Sequence, residues 1–284
     1  MWAVTSERSA PIGVFDSGLG GLSVLRAIRD LLPVENVLYF ADQGHVPYGS
    51  RPLEEVRFFC EAISRFLLDR GAKLIVVACN TASAAALHPL RLTFPDTPFV
   101  GMEPAVKPAA ETTLTGRVGI LATPATFQGA LFASVVERFA NNVTLLQDTC
   151  PGLVQQIEKG ELESSATRHI LEIALRPMLE NGIDTIVLGC THYPFVIPLI
   201  QEIAGPDVRV IDPAPAVARQ AARLLSPNGI SRMDSRQSNN IQPGKLQLYT
   251  SGDAGRLKGM LPRFLGESGT INEVRWQDNK LRVV

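Results

Sequence analysis

Short runs of Val, Ile, Leu and Phe alternate along this chain with longer stretches in which apolar residues recur every three or four positions. Near-continuous apolar runs read as strands buried on both faces, and the wider spacing reads as amphipathic helix. Strands are therefore expected at Ile12–Phe15, Val37–Ala41, Leu74–Ala78, Phe99–Gly101, Val118–Ala122, Thr144–Leu146, Thr185–Gly189 and Arg209–Asp212. Helices are expected at 20–31, 52–70, 82–93, 104–114, 127–140, 151–158, 163–181, 194–204 and 214–226. Strands alternating with helices define an α/β fold, with doubly wound parallel sheets covered on both faces. After Ser226 the pattern weakens. Residues 227–244, rich in Pro, Gly, Ser and Asn, read as a loop; a strand at Leu246–Thr250, a helix at Asp253–Leu265 and a last strand at 272–276 follow.

A weak internal repeat overlies this pattern. The segment Gly71–Thr81 aligns with Gly182–His192 at an offset of 111 residues, which superposes Cys79 on Cys190. The turn at Asp16 has a counterpart near Thr123. Two similar α/β units, each presenting a cysteine at a strand end, explain the repeat; a chance likeness of two Val-rich strands is the alternative.

Composition narrows the field. The chain carries 27 basic and 28 acidic side chains for a net charge of −1, with no basic stretch, so the footprint of a nucleic-acid binder is missing. No apolar run reaches the ~18 residues that span a bilayer, and the first 13 residues lack the pattern of a signal peptide. A cytoplasmic location with reduced thiols is the expectation. The four cysteines, Cys60, Cys79, Cys150 and Cys190, are widely spaced with no C-x-x-C pair, which speaks against a disulfide framework and a structural zinc site.

Ligands of parallel sheets bind where strand ends turn into helix N-termini, and here those turns gather reactive residues. They read Asp16-Ser17-Gly18-Leu19-Gly20-Gly21, Cys79-Asn80-Thr81-Ala82-Ser83, Thr123-Pro124-Ala125-Thr126 and Cys190-Thr191-His192-Tyr193-Pro194. A thiol at a helix N-terminus is expected to have a lowered pKa. Two matched acid/base groups suit racemisation, in which a proton leaves one face of a carbon and another arrives on the opposite face. Asp16 and His192 are placed to assist a thiol each; a turn-capping Asp and a structural His are the plainer readings. Ser17, Asn80, Thr81, Thr123, Thr126 and Thr191 are candidate donors to a substrate carboxylate or, equally, helix caps. Tyr48 and Gly49, in Pro47-Tyr48-Gly49, are candidates to close over the cleft, and Glu158 reads by itself as a solvated helix residue. The run Gly18-Leu19-Gly20-Gly21-Leu22-Ser23, with Asp42 beyond it, approaches a dinucleotide fingerprint. It fails at Ser23 and sets Asp16 against the phosphate position.

The blocks around Asp16, Tyr48, Cys79 and Cys190, with Ala122–Thr126, Cys150–Val154 and Tyr249–Asp253, resemble the signature blocks of bacterial glutamate racemases, in the aspartate/glutamate racemase superfamily. They run from about residue 11 to 265. The resemblance implies two α/β domains with the active site in the cleft between them: 1–101 with 212–284, and an inserted 102–211. It implies Cys79 and Cys190 as the acid/bases, with Cys190 acting on L-glutamate and Cys79 on D-glutamate. Asp16 and His192 assist, Glu158 supports, and Ser17, Tyr48, Gly49, Asn80, Thr81, Thr191 and His192 contact glutamate. It implies no cofactor and no metal, a cytoplasmic homodimer, and a supply of D-glutamate for peptidoglycan. Some relatives respond to a cell-wall-precursor activator or bind DNA gyrase, and no residue here decides either point. A related racemase of aspartate or a hydantoin, and a non-catalytic binding protein using the same cleft, are the alternatives.

Overall fold

The structure is a computed structural model that describes residues 10–226 and 243–284; residues 227–242 of the expected loop lie outside the described residues. Its first four strands are β1 (Ile12–Asp16), β2 (Val37–Ala41), β3 (Leu74–Val77) and β4 (Phe99–Gly101). Then come β5 (Arg117–Ala122), β6 (Thr144–Asp148), β7 (Thr185–Gly189) and β8 (Arg209–Ile211), and last β9 (Leu246–Thr250), β10 (Thr270–Gln277) and β11 (Lys280–Val283). They form a seven-stranded sheet in the order β11-β10-β9-β2-β1-β3-β4 and a four-stranded sheet in the order β6-β5-β7-β8. The blocks β2-β1-β3-β4 and β6-β5-β7-β8 have the same order, and all their pairings are parallel. The internal repeat is thus a repeat of topology, with β3 and β7 in corresponding places.

Both sheets are covered on two faces because their strands are apolar on two faces. In β3, Leu74 and Val76 enter one core while Ile75 and Val77 enter another. In β7, Ile186 and Leu188 join the first of these, and Val187 turns to a third. The first core is continuous from Ile12 and Val14 of β1 to Leu188 of β7, so the two units share buried apolar surface. The helices are α1 (Leu22–Leu31), α2 (Leu53–Leu68), α3 (Asn80–Thr93), α4 (Val106–Thr112), α5 (Pro124–Gln128), α6 (Ala130–Phe139), α7 (Leu153–Glu158), α8 (Ser165–Glu180), α9 (Ile197–Ala204), α10 (Ala214–Leu225) and α11 (Ala254–Phe264).

Three departures from the expected elements have local causes. The helix expected at 127–140 is two helices, because Gly129 is extended (φ −71°, ψ 139°) and Pro124 already opens α5. The helix expected from 194 begins as a turn of 3-10 helix, Tyr193–Val196, before α9. Strand β11 was not expected at all. It folds back antiparallel on β10 through Asp278 and Asn279, both with positive φ, the backbone of a two-residue hairpin turn.

Candidate active site

Cys79 is separated from the end of β3 by Ala78 alone and is the N-cap of α3, its sulfur accepting the Ala82 N–H at 3.4 Å. Cys190 follows β7 and leads into the 3-10 turn. Both are nearly buried, and both line one cleft with about 290 Å³ of empty space, part of it open to solvent. From the first sheet's side the lining also includes Ser17, Tyr48, Gly49, Asn80 and Thr81; from the second come Thr123, Thr191 and His192. Pro47 and Val154 complete it, and neither was singled out as a contact in the sequence. Asp16, Thr126 and Glu158 stand behind the wall. Cys60 and Cys150 are free and buried, Cys60 on the buried face of α2 and Cys150 in the core shared with the second sheet.

The two cysteine loops clasp the opposite unit. Thr81 Oγ1 lies 2.8 Å from Thr123 Oγ1, which lies 2.9 Å from Thr126 Oγ1. In the other direction Thr191 donates its hydroxyl to Asp16 Oδ1 at 3.2 Å, and Ser23 donates to the Thr191 carbonyl at 3.0 Å. Thr126 is therefore a partner of Thr123 and does not face the cavity.

Behind Cys190 runs a polar chain. His192 Nδ1 lies 3.7 Å from Cys190 Sγ, and His192 Nε2 lies 2.7 Å from Glu158 Oε1, which also accepts the Leu19 N–H at 2.7 Å. Glu158 is buried; the reading of it as a solvated helix residue is corrected, because α7 carries its end under the Asp16 loop. That loop passes close because Gly18 and Gly20 carry no side chain where it meets Glu158 and His192. A Cβ on Gly18 would sit 2.2 Å from Glu158 Oε1, and one on Gly20 would sit 2.5 Å from His192 Nδ1.

Burial and charge set the protonation states. Burial would push Glu158 up, but the His192 hydrogen bond and charge, with the Leu19 amide and the Gln43 side chain, hold it below the ordinary carboxylate value. Burial would push His192 down, but the bonds to Cys190 and Glu158 raise it well above the usual imidazole value. Asp16 is raised by burial, partly offset by His192 and the Gly18 amide. Burial also raises the Cys79 thiol well above its ordinary value, with the Asp16 charge adding. The expectation of a lowered pKa at Cys79 is thereby corrected: desolvation and a nearby carboxylate outweigh the helix N-terminus. Cys79 is a thiol with a proton to give.

Asn80 is buried, and neither its amide nitrogen nor its oxygen has a protein partner. A buried polar group without a partner is costly, and this one lines the cavity, so it is set for a polar guest. The glycine loop offers no phosphate cradle, since the Leu19 amide is taken by Glu158; Asp42 is buried and already occupied by protein donors. Among the described residues no group of three or more His, Cys, Asp or Glu is arranged to hold a metal ion. No helix among them is long and apolar enough to cross a membrane.

A family model described as Asp/Glu/Hydantoin racemase matches residues 12–221. The chain is 56% identical over 269 residues to the glutamate racemase of Pseudomonas paraeruginosa, covering 95% of this chain and 99% of that protein. The crystal structure of glutamate racemase isoform RacE1 from Bacillus anthracis superposes with a TM-score of 0.80 at 30% identity, covering 93% of this chain and 97% of that one. The Escherichia coli glutamate racemase, solved with L-glutamate and the activator UDP-MurNAc-Ala, gives 0.79 at 32% identity, covering 97% and 99%. Fold and relatives together define an amino-acid isomerase of two-sheet α/β architecture. Within that class, the chain belongs to the Asp/Glu/hydantoin racemase family.

Proposed function

We propose that this enzyme interconverts L- and D-glutamate without a cofactor by two-base proton transfer between Cys79 and Cys190. The observation that carries the reading is the equivalence of the two thiols: each follows the corresponding strand of a repeated sheet, and both open into one cavity. With L-glutamate the Cys190 thiolate takes the α-proton, and the Cys79 thiol delivers its own proton to the opposite face, leaving Cys79 as the thiolate. With D-glutamate the roles exchange. His192 and Glu158 form the proton-handling pair behind Cys190, and Asp16 adjusts the charge felt by Cys79 and His192. Asn80, Ser17, Thr81 and Thr191, with the Gly49 turn, hold the two carboxylates and the amine.

Glutamate is favoured over aspartate or a hydantoin because the relatives named above are glutamate racemases and one is solved with L-glutamate. The same reading takes 1–101 with 212–284 as one domain and 102–211 as an inserted second. It takes the protein as a cytoplasmic homodimer that supplies D-glutamate to peptidoglycan.

Replacing either Cys79 or Cys190 with Ser should abolish racemisation in both directions while the circular dichroism of the fold is retained. Solvent deuterium should enter the α-carbon of the product. Near-normal turnover by Cys79→Ser would end the two-base scheme, and racemisation of aspartate or a hydantoin in preference to glutamate would end the substrate assignment.

A further inference from the structure

A further buried carboxylate, Asp42, lies beside the site and takes no part in the proposed proton transfers. It follows β2 and is fully buried. Its Oδ2 accepts the Tyr48 hydroxyl at 2.6 Å and faces His45 Nδ1 at 3.0 Å. Its Oδ1 accepts the Ser251 hydroxyl at 2.5 Å and the Trp276 indole N–H at 2.9 Å. Despite burial, these donors hold its carboxyl below the ordinary value, so it sits there as an anion.

The donors come from separate parts of the chain. Ser251 follows β9 and Trp276 belongs to β10, whereas His45 and Tyr48 lie on the loop after β2. The His45 ring stacks on Phe59 with centroids 4.0 Å apart and meets Trp276 edge-on at 5.2 Å. Of the four donors only Tyr48 lines the cavity, and its hydroxyl is spent on Asp42. Its neighbour Gly49 is pressed on the second unit, where a Cβ would come within 2.8 Å of Thr123. The Tyr48–Gly49 turn is therefore a wall that spans the cleft, and its outer end is anchored through one carboxylate to β9 and β10.

We propose that Asp42 is a positioning residue that fixes the Tyr48–Gly49 wall, and with it the width of the cleft in which substrate binds. The inference rests on the reading of the cavity as the substrate site. The acid/base groups sit on other loops, so loosening the wall should weaken binding and spare the proton transfers.

The test compares Asp42→Asn, Tyr48→Phe and the double variant in the full-length enzyme, with both enantiomers. Asp42→Asn should raise KM about tenfold for L- and D-glutamate alike while each kcat stays within about twofold, the signature of lost binding. Tyr48→Phe should do the same, and the double variant should be no worse than about twofold beyond the larger single effect, because both changes act on the same Tyr48–Asp42 bond, one weakening it and the other removing it. A KM unchanged in Asp42→Asn but raised in Tyr48→Phe would overturn the role of Asp42, as would effects that multiply. A KM unchanged in Tyr48→Phe together with full activity in Cys79→Ser would instead strike at the cavity as the substrate site. Should Asp42→Asn not fold, the pair Ser251→Ala with Trp276→Phe removes the two donors that tie Asp42 Oδ1 to β9 and β10 and should raise KM at constant kcat. A changed melting temperature with an unmoved KM would then refute the proposal.

Discussion

Replacing Glu158 with Gln tests the chain behind Cys190 with almost no change of shape. Glu158 Oε1 accepts both the Leu19 amide and His192 Nε2 at 2.7 Å, and a Gln oxygen keeps both acceptor positions. What disappears is the charge. The pair is buried, with side-chain exposures of 3% for His192 and 8% for Glu158, so solvent does little to screen the loss. A charge-assisted bond exceeds a neutral one by roughly 1 kcal/mol, and two bonds make about 2 kcal/mol. At 1.36 kcal/mol per tenfold, kcat/KM should fall about thirtyfold. Because a racemase equilibrates mirror images, kcat/KM must fall equally for both enantiomers, and the direction is read from isotope effects. With α-deuterated L-glutamate the effect should grow, because removal of its proton by Cys190 becomes slower; with α-deuterated D-glutamate it should shrink. Stability supplies a second reading. The Glu158 contribution is complete above the free value of 4.5 and is lost as pH falls through its lower native value. The His192 contribution is complete below 6.5 and is lost as pH rises through its higher native value. The stability gap between wild type and variant should therefore be largest between 4.5 and 6.5. A kcat/KM within threefold of wild type, or isotope effects that change alike for both enantiomers, would refute the chain from Glu158 through His192 to Cys190.

Gly20→Ala should push the His192 ring off Cys190, since the new methyl would lie 2.5 Å from Nδ1 and 2.8 Å from Thr191 Oγ1. Turnover should drop on the order of a hundredfold with a stability loss of about 1–3 kcal/mol, and wild-type turnover would refute the contact. Asn80→Ala should weaken glutamate binding about tenfold while leaving the melting temperature unchanged or higher, because the amide it removes has no protein partner. A lower melting temperature with unchanged KM would assign Asn80 to structure instead.

Much of the fold was legible before any coordinates. The apolar runs that became β1, β2, β3, β5 and β7 are strands buried on both faces, a condition visible as dense apolar sequence, whereas β6 and β8, at the edges of the second sheet, stay half-exposed. The likeness of 71–81 to 182–192 pointed to two similar α/β units, each with a cysteine at a strand end, and the structure adds that the two share one strand order. The misses were local: Gly129 splitting α5 from α6, and the β10–β11 hairpin, whose turn is Asp-Asn and whose second strand carries too many charges to read as buried.

What the amino-acid order determined by itself was which residues stand at the strand ends, because periodicity and turn chemistry act over a few neighbours. It could not determine burial or charge state, which depend on elements that meet only in the folded molecule. Glu158 reads as solvated until α7 is laid beneath the Asp16 loop 139 residues away. Cys79 reads as an activated thiol until desolvation and the Asp16 charge are counted together. Asp42 reads as a spare acidic residue until β9 and β10 bring Ser251 and Trp276 to it. Electrostatic energy depends on distance through space and on excluded water, and neither is a property of the chain read in order.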